Sequence, residues 1–348
     1  MSSMNETRLS TNDSEHPGNE YKWICHIITT EGVIGVLGNL LVCFVILRVK
    51  FLHNMTNYLL VNLAVADMLL CLQAFLLYFF AFSKCAIVHY VPAGSVERQI
   101  FCRLLASDFL SWALSYVSAY SLCLVTLERY VAIVHPLKYQ RKVTASRIAR
   151  LVALIWVVPF LYSLPFVFTI KPSDDPDQAC SEIQYPHQAF PIVIGVLSFL
   201  MDYLLPITLM SLAYYKIQVT LKRQAKALNL QHARAAAYDL VIARQRLVSM
   251  LTIVLGALII LWTPAYLAIT ICLQASRGRS HMTFCDSVTF QHIRGVCSSL
   301  FYINSIVNPV IYEFKYKKFR QGFKVAFCGC FQKKLSNRVE NLTPLQPR

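Results

Sequence analysis

The sequence predicts an all-α membrane protein: a seven-transmembrane helix bundle followed by a short amphipathic C-terminal helix lying in the inner interface. Three observations predict it. Of 348 residues 56% are hydrophobic and only 15% charged, with a positive mean hydropathy, a balance unusual for a soluble domain. Seven apolar segments follow one another, each long enough for a hydrocarbon core that needs about 20 helical residues. Most of the 33 Lys/Arg fall on the side that carries the C-terminus, which makes that side cytoplasmic and puts the N-terminus outside. That asymmetry also disposes of the nucleic-acid reading that a net charge of +15 invites.

Taken in order, residues 1–23 read as a polar extracellular tail, with N-glycosylation triplets at Asn5 and Asn12 and no visible signal peptide. The transmembrane domain spans 24–312, with apolar segments at 24–48, 57–82, 102–134, 148–169, 190–221, 246–273 and 291–312. The third is the centre of the bundle. Its small residues Ser107, Ser111, Ala113, Ser115, Ser118 and Ala119 allow neighbouring helices to approach closely. It ends in Glu128-Arg129-Tyr130, where an Arg closing an apolar helix needs a partner or water. Glu128 is the adjacent partner, and the basic stretch after it marks the membrane boundary.

The inner connections 48–56 and 135–147 are short and basic, whereas 222–245 reads as a longer connection. The two halves show no repeat, which argues against a transporter built on inverted repeats. Residues 313–330 place Tyr316, Phe319, Phe323, Ala326 and Phe327 on one face amid lysines and an arginine, the pattern of an interfacial helix. Cys328 and Cys330 close it as candidate palmitoylation sites or plain thiols, and 331–348 form a cytoplasmic tail.

Polar groups at membrane depth carry the functional expectations, because each costs at least about 2–3 kcal/mol unless satisfied. Asp67, Ser118, Asn304, Ser305 and Asn308 supply one carboxylate and several neutral oxygens at similar depth. They suit a hydrated monovalent cation or a structural network bridging helices. Nearer the outside, Asp108 and Asp202 stand among Trp112, Tyr266 and Tyr302, a setting for a cationic group. The alternative is that Asp202 pairs with a neighbouring Tyr or Ser. Glu31 has no evident partner. Pro206, Pro264 and Pro309 bend helices five, six and seven, with Trp262 at one bend. Cys43, Cys71, Cys123, Cys272 and Cys297 lie in apolar segments and read as buried free thiols, whereas the outer Cys102 and Cys180 can pair.

These residues together resemble those of rhodopsin-like (class A) G-protein-coupled receptors, over nearly all of 24–330. The matching elements stand in order: Gly38-Asn39, Leu63-Ala-Val-Ala-Asp67, Glu128-Arg129-Tyr130, Trp156, Pro206 with Tyr214, Trp262-Thr-Pro264, and Asn308-Pro309-Val-Ile-Tyr312 followed by Phe319. The resemblance implies a Cys102–Cys180 bridge and an allosteric sodium site at Asp67, Ser118, Asn304, Ser305 and Asn308, with no other cofactor. It implies a ligand site drawing on Asp108, Ser111, Trp112, Ser115, Asp202, Trp262, Tyr266 and Tyr302. It makes Trp262 with Pro264 the switch below the ligand, and Arg129, Tyr214 and Tyr312 the groups that rearrange for a G protein. Arrestin and receptor kinases are further implied partners, and the plasma membrane the implied location.

Three positions depart from the pattern. The interval from Cys102 to Arg129 is two residues longer than usual, so the outer end of helix three is expected to be irregular. Arg244 stands where many relatives carry an acid, and Leu258 replaces the usual Phe of helix six. Helix seven has no Lys near Tyr302 for a retinal Schiff base, and the monoamine receptors' helix-three Asp falls at Ser111. What remains resembles neuropeptide receptors: VTLERYVAIVHPLK over 125–138, a second outer loop long enough for a hairpin, and the outer acids Asp174, Asp175, Asp177 and Glu182. A basic or amidated peptide is the first expectation and a small cation at Asp202 the second. An enzyme is not expected, since no HExxH, nucleophile elbow or Walker-type loop occurs. A channel or transporter using Asp67 is the remaining alternative class.

Overall fold

The computed structural model describes residues 22–327 except 82–86, 89, 176–177, 182–183, 186–188, 231–234, 276–284 and 286. Asn5, Asn12, Cys85, Asp177, Glu182, Cys328 and Cys330 lie outside the described residues. The architecture is helical throughout, apart from one isolated β-bridge between Pro172 and Cys180. The helices are α1 (Lys22–Arg48), α2 (Met55–Leu76), α3 (Ser95–Ile100), α4 (Phe109–Val134), α5 (Pro136–Lys142) and α6 (Ala145–Ser163). They continue with α7 (Ala189–Ser198), α8 (Leu205–Leu230), α9 (Ala235–Ala275), α10 (Val288–Lys315) and α11 (Lys317–Phe327). Six spans are long and apolar enough to cross a membrane; α10, which carries Asn304, Ser305 and Asn308, is a seventh, more polar rod.

Local chemistry fixes several starts. Asn54, Thr144 and Ser287 each accept a bond from the backbone N–H three residues on, capping α2, α6 and α10. Close approach fixes the α1–α2 pair. A Cβ on Gly35 would stand 2.2 Å from Cys71 Sγ, and one on Gly32 would stand 2.8 Å from the Cys71 carbonyl oxygen. The other face of α1 leaves Ile34, Leu37, Leu40 and Leu47 exposed, as lipid contact requires.

α4 is the most enclosed of the membrane helices and packs against α2, α6 and α8. Trp156 on α6 donates to Asn62 Oδ1 at 2.9 Å, and Asn62 Nδ2 donates to Ser121 Oγ at 2.8 Å, so α2, α4 and α6 are tied at one level. The outer end of the third segment is irregular, as its length predicted. A π turn at Phe101–Ala106 stops at Ser107, whose backbone is extended, and α4 begins only after Asp108.

Other boundaries move for physical reasons. The 222–245 connection is largely helix, since α8 runs to Leu230 and α9 starts at Ala235. Lys, Gln, Ala, Leu and Arg end the apolar pattern without lowering helix propensity. α6 stops at Ser163, because Pro165 turns Leu164–Phe168 into a 3₁₀ segment. Before Pro206 the chain widens into a π turn at Phe199–Leu204, which carries Asp202.

Two disulfides join described cysteines. Cys102 bonds Cys180, and the loop doubles back as the expected hairpin, with Ser181 N–H donating to the Lys171 carbonyl at 2.8 Å. Cys272 bonds Cys285, which corrects its reading as a buried thiol. α9 carries Cys272 to its outer end, where the chain leading into α10 meets it. Cys25 is also disulfide-bonded, whereas Cys43, Cys71, Cys123 and Cys297 are buried free thiols, as expected. Mass mapping of non-reduced peptides is expected to recover Cys102–Cys180 and Cys272–Cys285. A Cys102–Cys285 linkage would contradict this fold.

Candidate functional site

The predicted residues fall into three levels along the bundle axis. At the outer level, Asp202 is fully buried on its π turn. Its Oδ2 accepts from the Tyr266 hydroxyl at 2.6 Å and from Ser115 Oγ at 3.1 Å, while Oδ1 is buried with no partner. The expected pairing with a Tyr and a Ser is therefore real, and it leaves half the carboxylate unsatisfied. Trp112 lies 6.3 Å from Tyr266, ring to ring, and stacks on Phe166. Ser111 Oγ lies beside the Tyr302 hydroxyl without meeting a hydrogen-bond partner. Asp108, Ser111 and Trp112 keep partial exposure and form a reachable wall, whereas Ser115, Asp202, Tyr266 and Tyr302 make a closed floor.

Below that floor Trp262 is buried, stacked on Phe301 at 4.9 Å and 6.3 Å from Tyr266. Its indole N–H has no partner among the described residues. Pro264 lies inside α9 and Pro309 inside α10; one residue before Pro264, Thr263 Oγ1 bonds back to the Ile259 carbonyl and meets the Tyr203 hydroxyl at 2.6 Å.

At the middle level Asp67 is fully buried and takes three donors. Ser118 Oγ and Ser305 Oγ donate to Oδ1 at 2.6 and 2.9 Å, and Asn308 Nδ2 donates to Oδ2 at 2.8 Å. Asn304 is buried, and no hydrogen bond joins it to Asp67 among the described residues. Asn39 reaches across from α1 to the Ser305 carbonyl at 3.0 Å and links this cluster to the outer wall of the bundle. Glu31 does have a partner: Ser299 Oγ donates to its Oε1 at 2.5 Å, joining α1 to α10.

At the inner level Glu128 and Arg129 form a two-bond ion pair at 2.5 and 2.6 Å, the one salt bridge among the described residues. Thr56 on α2 and Tyr139 on α5 add further donors to the same carboxylate, at 3.1 and 2.6 Å. Neither was legible in the sequence, because both depend on how α2 and α5 lie against α4. Burial and then the Glu128 carboxylate push the Tyr139 hydroxyl up to about 12, so it remains a donor at every physiological pH. Tyr130 bonds His135 at 3.4 Å, on the rim of the site. Tyr214 meets Thr126 Oγ1 at 2.7 Å, while the Tyr312 hydroxyl is buried without a partner. Beneath, α11 packs Phe319 against Tyr312, and Tyr316 donates to Asn57 Oδ1 at 3.2 Å.

With this geometry in place, comparison with known proteins is informative. The family model of the 7 transmembrane receptor (rhodopsin family) matches residues 38–312. The chain is 31% identical to the mouse (Mus musculus) neuromedin-U receptor 2 over 84% of its own length and 72% of that protein's. It is 30% identical to the rat (Rattus norvegicus) somatostatin receptor type 4, over 85% of its length and 70% of the relative's. Similarity extends to the mouse trace amine-associated receptor 1, at 27% identity over 87% of this chain and 88% of the other.

Proposed function

This chain belongs to the rhodopsin family of seven-transmembrane receptors, and on that premise we propose a ligand route from the outer level to a G-protein site at Arg129. The protein is a multi-pass membrane receptor, a G-protein-coupled receptor for a peptide or amine ligand. Its N-terminus faces outward at the plasma membrane, and its ligand enters among Asp108, Ser111 and Trp112. Displacing the Asp202–Tyr266 floor moves Trp262 and opens the bend at Pro264. Arg129 then leaves Glu128 for Tyr214 and Tyr312, and a heterotrimeric G protein exchanges its nucleotide. Arrestin and receptor kinases then act at the same inner face.

The observation that carries this reading is the buried Glu128 carboxylate holding Arg129 in a two-bond pair, while the buried Tyr312 hydroxyl has no partner among the described residues. The test is nucleotide exchange on added G protein by the reconstituted receptor, under a panel of peptides and amines. Ion flux across the vesicle wall with no exchange would favour a channel instead.

The Asp67 cluster suits an allosteric sodium ion. One carboxylate and two hydroxyl oxygens converge there, with hydroxyls that can rotate their protons outward and turn lone pairs to a cation. Asp67, Ser118 and Ser305 are the residues that would hold it, with Asn304 and Asn308 completing the shell. Sodium bound there favours the inactive arrangement, so agonist affinity is expected to fall as sodium replaces a large organic cation at constant ionic strength. Asp67→Asn should abolish that dependence. A sodium response unchanged in the variant would rule the site out.

A further inference from the structure

Two consecutive side chains of the π turn at Phe199–Leu204 are bonded to α9. Asp202 Oδ2 accepts from the Tyr266 hydroxyl at 2.6 Å, and the Tyr203 hydroxyl meets Thr263 Oγ1 at 2.6 Å. Thr263 and Tyr266 stand three residues apart, on one face of α9 and on either side of Pro264. Pro264 has no N–H for the Ile260 carbonyl, so the ladder of α9 lacks a rung at the point that the two bonds bracket.

The direction of the second bond follows from its protons. Thr263 has a single hydroxyl proton and gives it to the Ile259 carbonyl within its own helix. Its Oγ1 is then the acceptor, and Tyr203 is the donor. The tyrosine ring is held independently of that bond. It lies 4.9 Å from the Tyr266 ring and is stacked on Phe199 at 5.5 Å.

The two bonds differ in what can break them. The one at Asp202 ends on a carboxylate whose other oxygen has no partner among the described residues, and a ligand cation competes for that charge. The one from Tyr203 joins two neutral hydroxyls, where a ligand cation has no charge to claim. Freeing Tyr266 alone therefore leaves α9 tied to the π turn about one helical turn further in, at the residue before Pro264.

We propose that Tyr203 is a positioning residue for activation: its bond to Thr263 is a clasp that holds α9 shut at the proline, and its strength sets the basal activity of the receptor. This rests on the reading of Pro264 as the bend that relays ligand binding, and it adds a threshold that no ligand contact supplies. One neutral hydrogen bond shifts a two-state balance about two- to tenfold, enough to silence the free receptor without locking it.

The experiment uses the full-length receptor in nanodiscs with no ligand. It reads amide hydrogen exchange of α9 around Pro264, and guanine-nucleotide exchange on added G protein per receptor. Tyr203→Phe keeps the ring and removes the donor, so the amides should exchange faster and basal nucleotide exchange should rise about two- to tenfold. Thr263→Val removes the acceptor and should act in the same direction, and the double variant should go no further than the stronger single one. Thr263→Ser keeps the hydroxyl and should stay at the wild-type level. A contact that served stability alone would lower the melting temperature of Tyr203→Phe and leave nucleotide exchange flat. That result, beside a raised exchange in Glu128→Gln, overturns the proposal, as do unchanged amide exchange or additive effects in the double variant. Nucleotide exchange flat in Tyr203→Phe and Glu128→Gln alike overturns the activation route on which the clasp rests.

Discussion

Asp202→Asn is expected to weaken binding of a cationic ligand by about 2–5 kcal/mol, roughly thirtyfold to several thousandfold, with surface expression near normal. The carboxylate is fully buried, and only one of its oxygens is satisfied, by Tyr266 and Ser115. The other has no hydrogen-bond partner among the described residues. Asparagine keeps the size of the side chain and one carbonyl to accept from Tyr266. It removes the charge, which has no cationic partner among the described residues, so nothing structural is orphaned. If Asp202 instead serves only to tie α4 and α9 to its own π turn, the outcome reverses. Expression or thermal stability then falls, while the receptor that does fold binds with unchanged affinity. Binding of a cationic agonist beside a surface-expression control separates the two, and normal affinity in the variant would end the proposal.

The fold was largely legible because lipid makes the sequence one-dimensional: apolar length gives the spans. What failed was legible only in three dimensions. α8 and α9 carry the helix into the charged 222–245 connection, which a hydropathy pattern reads as loop. Cys272 looked buried because its neighbours are apolar, yet it lies at the outer end of α9 within reach of Cys285.

The three-level site shows the same division. Asp67, Ser118, Asn304, Ser305 and Asn308 could be grouped by depth alone, and all but Asn304 are joined to Asp67 by hydrogen bonds. The partners of Asp202 were foreseen only as residue types, since a π turn shifts its side chain around the helix relative to a regular α-helix.

Glu128→Gln should raise basal nucleotide exchange about five- to thirtyfold per surface receptor, in the absence of any ligand. Glu128 has no exposed side-chain surface and accepts four bonds, two of them from Arg129, which is 19% exposed. These contacts bind Arg129 to its own helix and so stabilise the arrangement in which it is not offered to a G protein. Glutamine fills the same space but offers one accepting oxygen instead of two and no charge, so one of the two Arg129 bonds is lost and those from Thr56 or Tyr139 become neutral. Bonds to charged groups contribute about 1.5–3 kcal/mol and neutral ones about 0.5–1.5, so the closed arrangement loses roughly 1–2 kcal/mol. In a two-state balance that difference shifts the active fraction by the stated factor, up to saturation. Arg129 itself is not stranded, because its side chain is partly exposed and water can receive it. Tyr139→Phe removes one neutral donor from the same carboxylate and should give a smaller rise in the same direction. Guanine-nucleotide binding to added G protein, normalised to receptor number, measures both. Basal exchange that stays flat in a well-expressed Glu128→Gln receptor would mean that the pair does not hold the inner end closed.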